Sequence, residues 1–345
     1  VTRNERICRP HCCNCGRLAR TNRAYYLYAP STTWARPGRL PNSRTESYPL
    51  LAVRKPSAKR VTFAASTQCI EYQQKYVYPC ARGVDLLGSW SRQSHCHHIT
   101  DALIIGGTDA MQYEFPHMVM LGFGQLNSIQ WLCGGAIISE RFVLTAGHCT
   151  SLKKNDPVSY IAIGVLKRSD ANDTSKLYKV KNITAHRDYK SPSRYNDIAL
   201  LETERVMELD QFTVPACLHV GEVNDSKVLA TGWGLTHDKG NWSDSLKKVV
   251  LTKIEELECS QKYEPFRLMP KGFEGQTQSC YGDRDPPKGD SGGPIQIKDQ
   301  KIHCMYTIVG ITSVGKSSCG NGLKPAVYTK VAQYLQWIEN IVWPN

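Results

Sequence analysis

No apolar run in this 345-residue chain approaches the roughly 18 residues that a membrane-spanning helix needs. Its first thirty residues also hold no apolar core of about 7 to 15 residues, the mark of a secretory leader. The chain begins at Val1 without methionine, so the native N-terminus is expected to lie outside it. Acidic residues are scarce at one end: residues 1 to 60 carry 13 Lys/Arg and 2 Asp/Glu, leaving +1 of the +12 net charge for everything after. The basic balance is therefore no nucleic-acid signature of the whole chain. An Arg-rich arm can attract anionic surfaces, but a solvated, disordered extension is the simpler reading. Metal-ligand spacing is lacking too. Cys8, His11, Cys12, Cys13 and Cys15 match no two-pair zinc finger, and no carboxylate pair is spaced as in a calcium loop, so neither metal nor cofactor is expected.

Cysteine is plentiful. Fourteen cysteines suggest disulfides, and four Asn-X-Ser/Thr sequons, at Asn172, Asn182, Asn224 and Asn241, are usable only along a secretory route. An extracellular, secreted glycoprotein is predicted. Residues 1 to 65 are rich in Arg, Pro, Ser and Thr with little hydrophobic periodicity and should form no sizeable core. Residues 66 to 103 hold Cys69, Cys80 and Cys96 with a polar, aromatic-containing run from Glu71 to Tyr78, and read as a linker. From Ile104 onward, short β-rich runs are separated by Gly, Pro and Asn at close intervals, as in antiparallel barrels. Only the end reads as clearly helical. There Val331, Leu335, Ile338 and Val342 share one helix face, which makes Trp337 and Trp343 packing residues.

One stretch carries chemistry. Gly289-Asp290-Ser291-Gly292-Gly293-Pro294 surrounds a serine with glycines that let the backbone turn tightly and bring N–H groups up to a bound carbonyl oxygen. A serine hydroxyl becomes an effective nucleophile at neutral pH when a base takes its proton, and the base needs a carboxylate to orient it. Leu144-Thr145-Ala146-Gly147-His148-Cys149 supplies the imidazole, and Tyr195-Asn196-Asp197-Ile198-Ala199-Leu200-Leu201 sets one carboxylate against an apolar strand.

These segments, together with Ile104-Ile105-Gly106-Gly107 and the order His148, Asp197, Ser291, resemble the trypsin-like serine proteases from Ile104 to the end of the chain. Within that family the likeness is to arthropod clip-domain proteases of the snake-like group. It rests on Glu114-Phe115-Pro116-His117-Met118, Pro215-Ala216-Cys217-Leu218 and the closing Ile338-Glu339-Asn340-Ile341-Val342-Trp343-Pro344. Adjacent Cys12 and Cys13 resemble the end of a clip domain, of which only a truncated remnant would fit before them.

The resemblance implies an all-β protein of two six-stranded antiparallel barrels with a C-terminal helix, the protease domain spanning residues 104–345. It implies bridges Cys133–Cys149 and Cys259–Cys280, and a light-chain partner for Cys217, with Cys96 expected. Pro287 stands where relatives carry a cysteine, leaving Cys319 either free or paired with Cys304. By the same resemblance Ser291 attacks, His148 shuttles the proton, Asp197 holds the imidazole, and the N–H groups of Gly289 and Ser291 form the oxyanion hole. Asp285 would bind a substrate Arg or Lys, with Asp283 as the alternative. Ser313 and Gly315 would pair with substrate backbone, and Ala326 would stand at the pocket edge. Cleavage between Leu103 and Ile104 would free an α-ammonium to pair with Asp290. A leucine before the cut implies an activating protease of chymotrypsin-like preference.

The expected partners are a protein substrate, itself a protease zymogen in an extracellular cascade of immunity or embryonic patterning, and serpin inhibitors. Neither nucleic acid nor a membrane span is expected. The rival reading is a non-catalytic clip-type homologue acting as an adaptor.

Overall fold

The computed structural model describes residues 64–82, 90–98, 107–153, 156–221, 226–234, 242–282, 291–315 and 325–344. The expectations for residues 1–63 and for Cys319 fall outside them.

The stretch Met118-Val119-Met120-Leu121-Gly122-Phe123 forms β1 (Met118–Phe123), buried along its whole length. Side chains of a strand alternate between faces, and here both faces are covered. Val119, Leu121 and Phe123 join the main core with Ile137, Leu144, Ile161 and Leu200. Met118 and Met120 join a second cluster with Leu229, Trp233 and Leu246. Burying a side chain of this size is worth about 1.5–3 kcal/mol, so a strand shared by two clusters ties them together.

The first sheet adds β2 (Gln130–Ile137), β3 (Phe142–Thr145), β4 (Asp156–Ile163), β5 (Leu177–Ala185) and β6 (Ala199–Thr203). Its order is β1-β2-β3-β6-β5-β4, and pairing of β4 with β1 closes it into a barrel. The second barrel comprises β7 (Lys227–Gly232), β8 (Lys247–Ile254), β9 (Gln278–Gly282), β10 (Pro294–Lys298), β11 (Tyr306–Val314) and β12 (Ala326–Lys330). Its order is β11-β10-β7-β8-β9-β12, closed by β11 against β12. Val228, Ala230, Leu251, Tyr281, Ile295 and Val309 fill its interior. The two six-stranded antiparallel barrels expected from the sequence are thus present.

The helical end is present as well: a 3-10 turn, Val331–Tyr334, leads into a helix, Leu335–Val342. Val331, Leu335, Ile338 and Val342 lie in the main core, with Trp337 and Trp343 packed against it. Among the described residues two further α-helices lacked a clear signal in the sequence. Counting in chain order, α1 (Ala64–Tyr72) precedes the barrels, α2 (Glu256–Lys262) follows β8, and the C-terminal helix is α3. α1 is held by tertiary contacts. The Ala65 amide donates to buried Glu339 Oε1 at 2.9 Å, and Tyr72 Oη donates to Glu140 Oε2 at 2.9 Å.

Four disulfides lie among the described residues. Cys133–Cys149 and Cys259–Cys280 pair as the resemblance implied. Cys217 has a light-chain partner as expected, but it is Cys69 and not Cys96, and Cys96 pairs with Cys304. α1 brings Cys69 to within 5.1 Å (Cα–Cα) of Cys217. The chain then doubles back, with the His95 amide donating to Val77 O, which brings Cys96 to 5.7 Å from Cys304. Cys304 is therefore no partner for Cys319.

Candidate active site

His148 sits on a single 3-10 turn, Gly147–Cys149, where β3 ends, and the Cys133–Cys149 bridge pins that turn to β2. Asp197 stands two residues before β6 and is wholly buried. The preceding Asn196 has φ 53°, a left-handed conformation that Asn tolerates better than most residues. Tyr334 Oη donates to the Asn196 side-chain oxygen at 3.0 Å, fixing this turn.

Carboxylate and histidine meet twice. The His148 amide donates to Asp197 Oδ1 at 2.7 Å, and the ring Nδ1 donates to Oδ2 at 2.8 Å. Ser313 Oγ donates to Oδ2 at 2.5 Å, and Thr329 Oγ1 donates to the Asp197 backbone carbonyl at 3.0 Å. Arg194 Nη1 lies 3.6 Å from Oδ2. Burial by itself would raise the pKa of Asp197. The charge and hydrogen bond of His148, followed by Arg194 and Ser313, outweigh it and hold the carboxyl below the usual range. An ionised carboxylate only accepts hydrogen bonds, so Nδ1 carries a proton, and when the ring holds no second proton Nε2 is a lone-pair acceptor. His148 Nε2 is buried and has no hydrogen-bond partner. It is free to accept a proton from a hydroxyl.

Ser291 stands in a loop that packs on the histidine turn. Its carbonyl accepts from the Gly134 amide at 2.9 Å, the Gly292 amide donates to Thr312 O at 3.0 Å, and the Thr312 amide donates to Gly293 O at 2.9 Å. Gly292 has φ +75°, and a Cβ there would fall 2.3 Å from Thr145 Oγ1 and 2.9 Å from Cys149 Sγ. Only glycine allows the serine loop to lie directly on the histidine turn.

Of the other candidates, Ser313 is buried with its hydroxyl committed to Asp197, while Gly315 is exposed with open space beside it. Ala326 is buried at the start of β12, opposite Tyr281 of β9. Leu103, Ile104, Asp283, Asp285, Gly289 and Asp290 lie outside the described residues. Sequence reasoning did not single out Arg194 or Thr329 as neighbours of Asp197; nothing in the linear pattern announces contacts made by loop folding. Among the described residues two clusters combine cysteine and histidine, Cys96/His98/Cys304 and Cys133/His148/Cys149. In both the sulfurs are bonded to each other, so neither offers a thiolate to a metal.

Two closed six-stranded barrels, with an imidazole backed by a buried carboxylate and faced by a glycine-flanked serine loop, define the chymotrypsin-like class of serine protease folds. The trypsin family model matches residues 104–338, and the chain belongs to that family. Serine protease snk of Drosophila melanogaster is 38% identical over 250 residues, which cover 70% of this chain and 57% of that protein. The snake-like resemblance is borne out by this relative. Coagulation factor XI of Bos taurus is 32% identical over 68% of this chain and 37% of its own length. The clotting factor G beta subunit of Tachypleus tridentatus is 30% identical over 70% of this chain and 80% of its own. The chain thus spans a little over half of the first of these relatives and well under half of the second.

Proposed function

We propose that the chain is a trypsin-like serine endopeptidase made as a zymogen, with Ser291, His148 and Asp197 as its catalytic triad. The observation that carries this reading is the His148–Asp197 pair, with Nδ1 held by the carboxylate and Nε2 unpartnered beside the serine loop. Ser291 Oγ attacks the scissile carbonyl carbon while Nε2 takes its proton. The N–H groups of Gly289 and Ser291 stabilise the oxyanion. Collapse of the tetrahedral adduct breaks the C–N bond, and the imidazolium returns its proton to the leaving amine. Water, deprotonated by the same imidazole, then hydrolyses the acyl-enzyme.

Asp285 at the base of the primary pocket selects Arg or Lys, with Ala326 at the pocket edge and Ser313 to Gly315 along the substrate backbone. Activation follows cleavage between Leu103 and Ile104 by a protease of chymotrypsin-like preference, and the new α-ammonium pairs with Asp290. The relatives named as coagulation and clotting factors support a place in an extracellular cascade, with another protease zymogen as substrate and serpins as inhibitors. No helix among the described residues is long and apolar enough to cross a membrane. The cysteine and sequon content supports secretion.

The test is reaction of the activated protein with a fluorophosphonate probe, alongside N-terminal sequencing of its heavy chain. Labelling at Ser291 that disappears in Ser291→Ala, with a heavy chain starting at Ile104, is the expected result. Correctly cleaved protein that neither labels nor hydrolyses any peptide would establish the adaptor instead.

A further inference from the structure

Arg194 lies in the loop between β5 and β6, three residues before Asp197. Its backbone is fixed: the amide donates to Leu268 O at 2.9 Å, and its carbonyl accepts from Gln278 Nε2 at 2.9 Å. Its guanidinium is not. Nη1 is 3.6 Å from Asp197 Oδ2, beyond a normal hydrogen bond, and Nε is buried without a partner. Asp197 is already committed to two donors of His148 and to Ser313. The cation therefore faces an oxygen, Oδ2, that already accepts from His148 Nδ1 and Ser313 Oγ. A guanidinium with five donors and this little coordination, 19% exposed, is poised to take a carboxylate.

Its position says where that carboxylate comes from. Tyr195, the next residue, packs in the same cluster as Val314, and Ser313 is bonded to the carboxylate that Arg194 faces. Arg194 thus flanks the Ser313–Gly315 edge, where the residues preceding the cleaved bond run in the proposed function. Of the acids on this side, Asp188 is exposed and faces Arg187 and His186, and Glu274 accepts from Thr277 Oγ1. Lys271, over the Tyr195 ring, adds a second positive charge to this side.

We propose that Arg194 forms a carboxylate-binding subsite that selects substrates with Asp or Glu shortly before the basic residue at the cleaved bond. The inference rests on the proteolytic reading above. When substrate binds, the guanidinium exchanges its long contact with Asp197 for charge-assisted hydrogen bonds to the substrate carboxylate.

The experiment uses activated protein, titrated with the fluorophosphonate probe, on matched fluorogenic peptides. These carry one basic residue at the cleaved bond and Glu, Gln or Lys at the two positions before it. The ratio of kcat/KM between peptides cancels any effect of Arg194 on turnover through Asp197. Wild type should prefer Glu over Gln roughly five- to tenfold, the scale of a partly exposed charge-assisted contact, with the preference falling as salt rises. Arg194→Gln should abolish the preference, and Arg194→Glu should reverse it toward Lys. A wild-type enzyme that titrates normally and shows no preference, or a preference that survives Arg194→Gln, overturns the subsite and leaves the protease reading intact. Protein that neither titrates nor cleaves overturns both.

Discussion

Replacing His117 by Phe should make the protein more resistant to acid. His117 is buried just before β1, its ring 6.4 Å from that of Phe115 and 5.3 Å from that of Tyr306, and its Nε2 has no hydrogen-bond partner. Burial pushes its pKa down to about 3, with Gln296 working against the shift and the charge of His98 with it. In the unfolded chain the same imidazole titrates near its ordinary 6.5. Between these two values the unfolded state binds a proton that the folded state refuses, so stability rises with pH across the window and is lost as pH falls through it. The slope is about 1.4 kcal/mol per pH unit, which amounts to about 2 kcal/mol between pH 7 and pH 5. Phenylalanine fills a similar volume among aromatic neighbours and has no proton to gain. Urea unfolding of both proteins, in a Ser291→Ala background to prevent self-digestion, should show the variant gaining about 2 kcal/mol on the parent as pH drops from 7 to 5. The other titrating groups contribute equally to both proteins and cancel in the difference. A pH-independent gap in unfolding free energy between the two would refute the reasoning.

Two further outcomes follow from hydrogen bonds and charges already described. Ser313→Ala removes a donor from the buried Asp197 carboxylate, a hydrogen bond to a charged group worth about 1.5–3 kcal/mol. The variant should lose roughly ten- to a hundredfold in kcat/KM and in the rate of probe labelling; an unchanged labelling rate would count against it. Glu114 is wholly buried, accepts from the Met111 amide and pairs with Lys248 Nζ at 2.5 Å. Lys248→Met should cost about 3–5 kcal/mol in a denaturant melt by stranding that charge. Adding Glu114→Gln should recover part of the loss, and no recovery would show that the cost lies in packing.

The antiparallel strands and the histidine and carboxylate segments were legible because short-range patterns encode them, while the count of two six-stranded barrels came from the family resemblance. Met118 to Phe123 and Ile198 to Leu201 are apolar runs that only a strand covered on both faces can bury. Gly292 beside Ser291 announces the close approach that the structure uses against Thr145 and Cys149. What escaped notice depends on distant segments coming together. α1 reads Ala-Ala-Ser-Thr-Gln-Cys-Ile-Glu-Tyr, too short and too polar for helical periodicity to stand out, and it is held by Glu339, 274 residues from Ala65. The choice of Cys96 for Cys217 failed, and the partner of Cys304 stayed open, for the same reason. α1 brings Cys69 to Cys217 and the return at Val77–His95 brings Cys96 to Cys304, but no spacing in the chain encodes that return. Arg194 is close in sequence to Asp197, yet its approach to the carboxylate is set by a loop anchored on Leu268 and Gln278.

Asp197 belongs by chain and strand to the first barrel, yet Ser313 and Thr329, which hold its side chain and its carbonyl, belong to β11 and β12 of the second. The carboxylate behaves as a keystone between two arches. The barrels are consequently not exchangeable modules. A chimera joining this first barrel to a second barrel from a relative keeps the local motif around His148 and Asp197, but its carboxylate is oriented only if the donor supplies hydroxyls at both supporting positions.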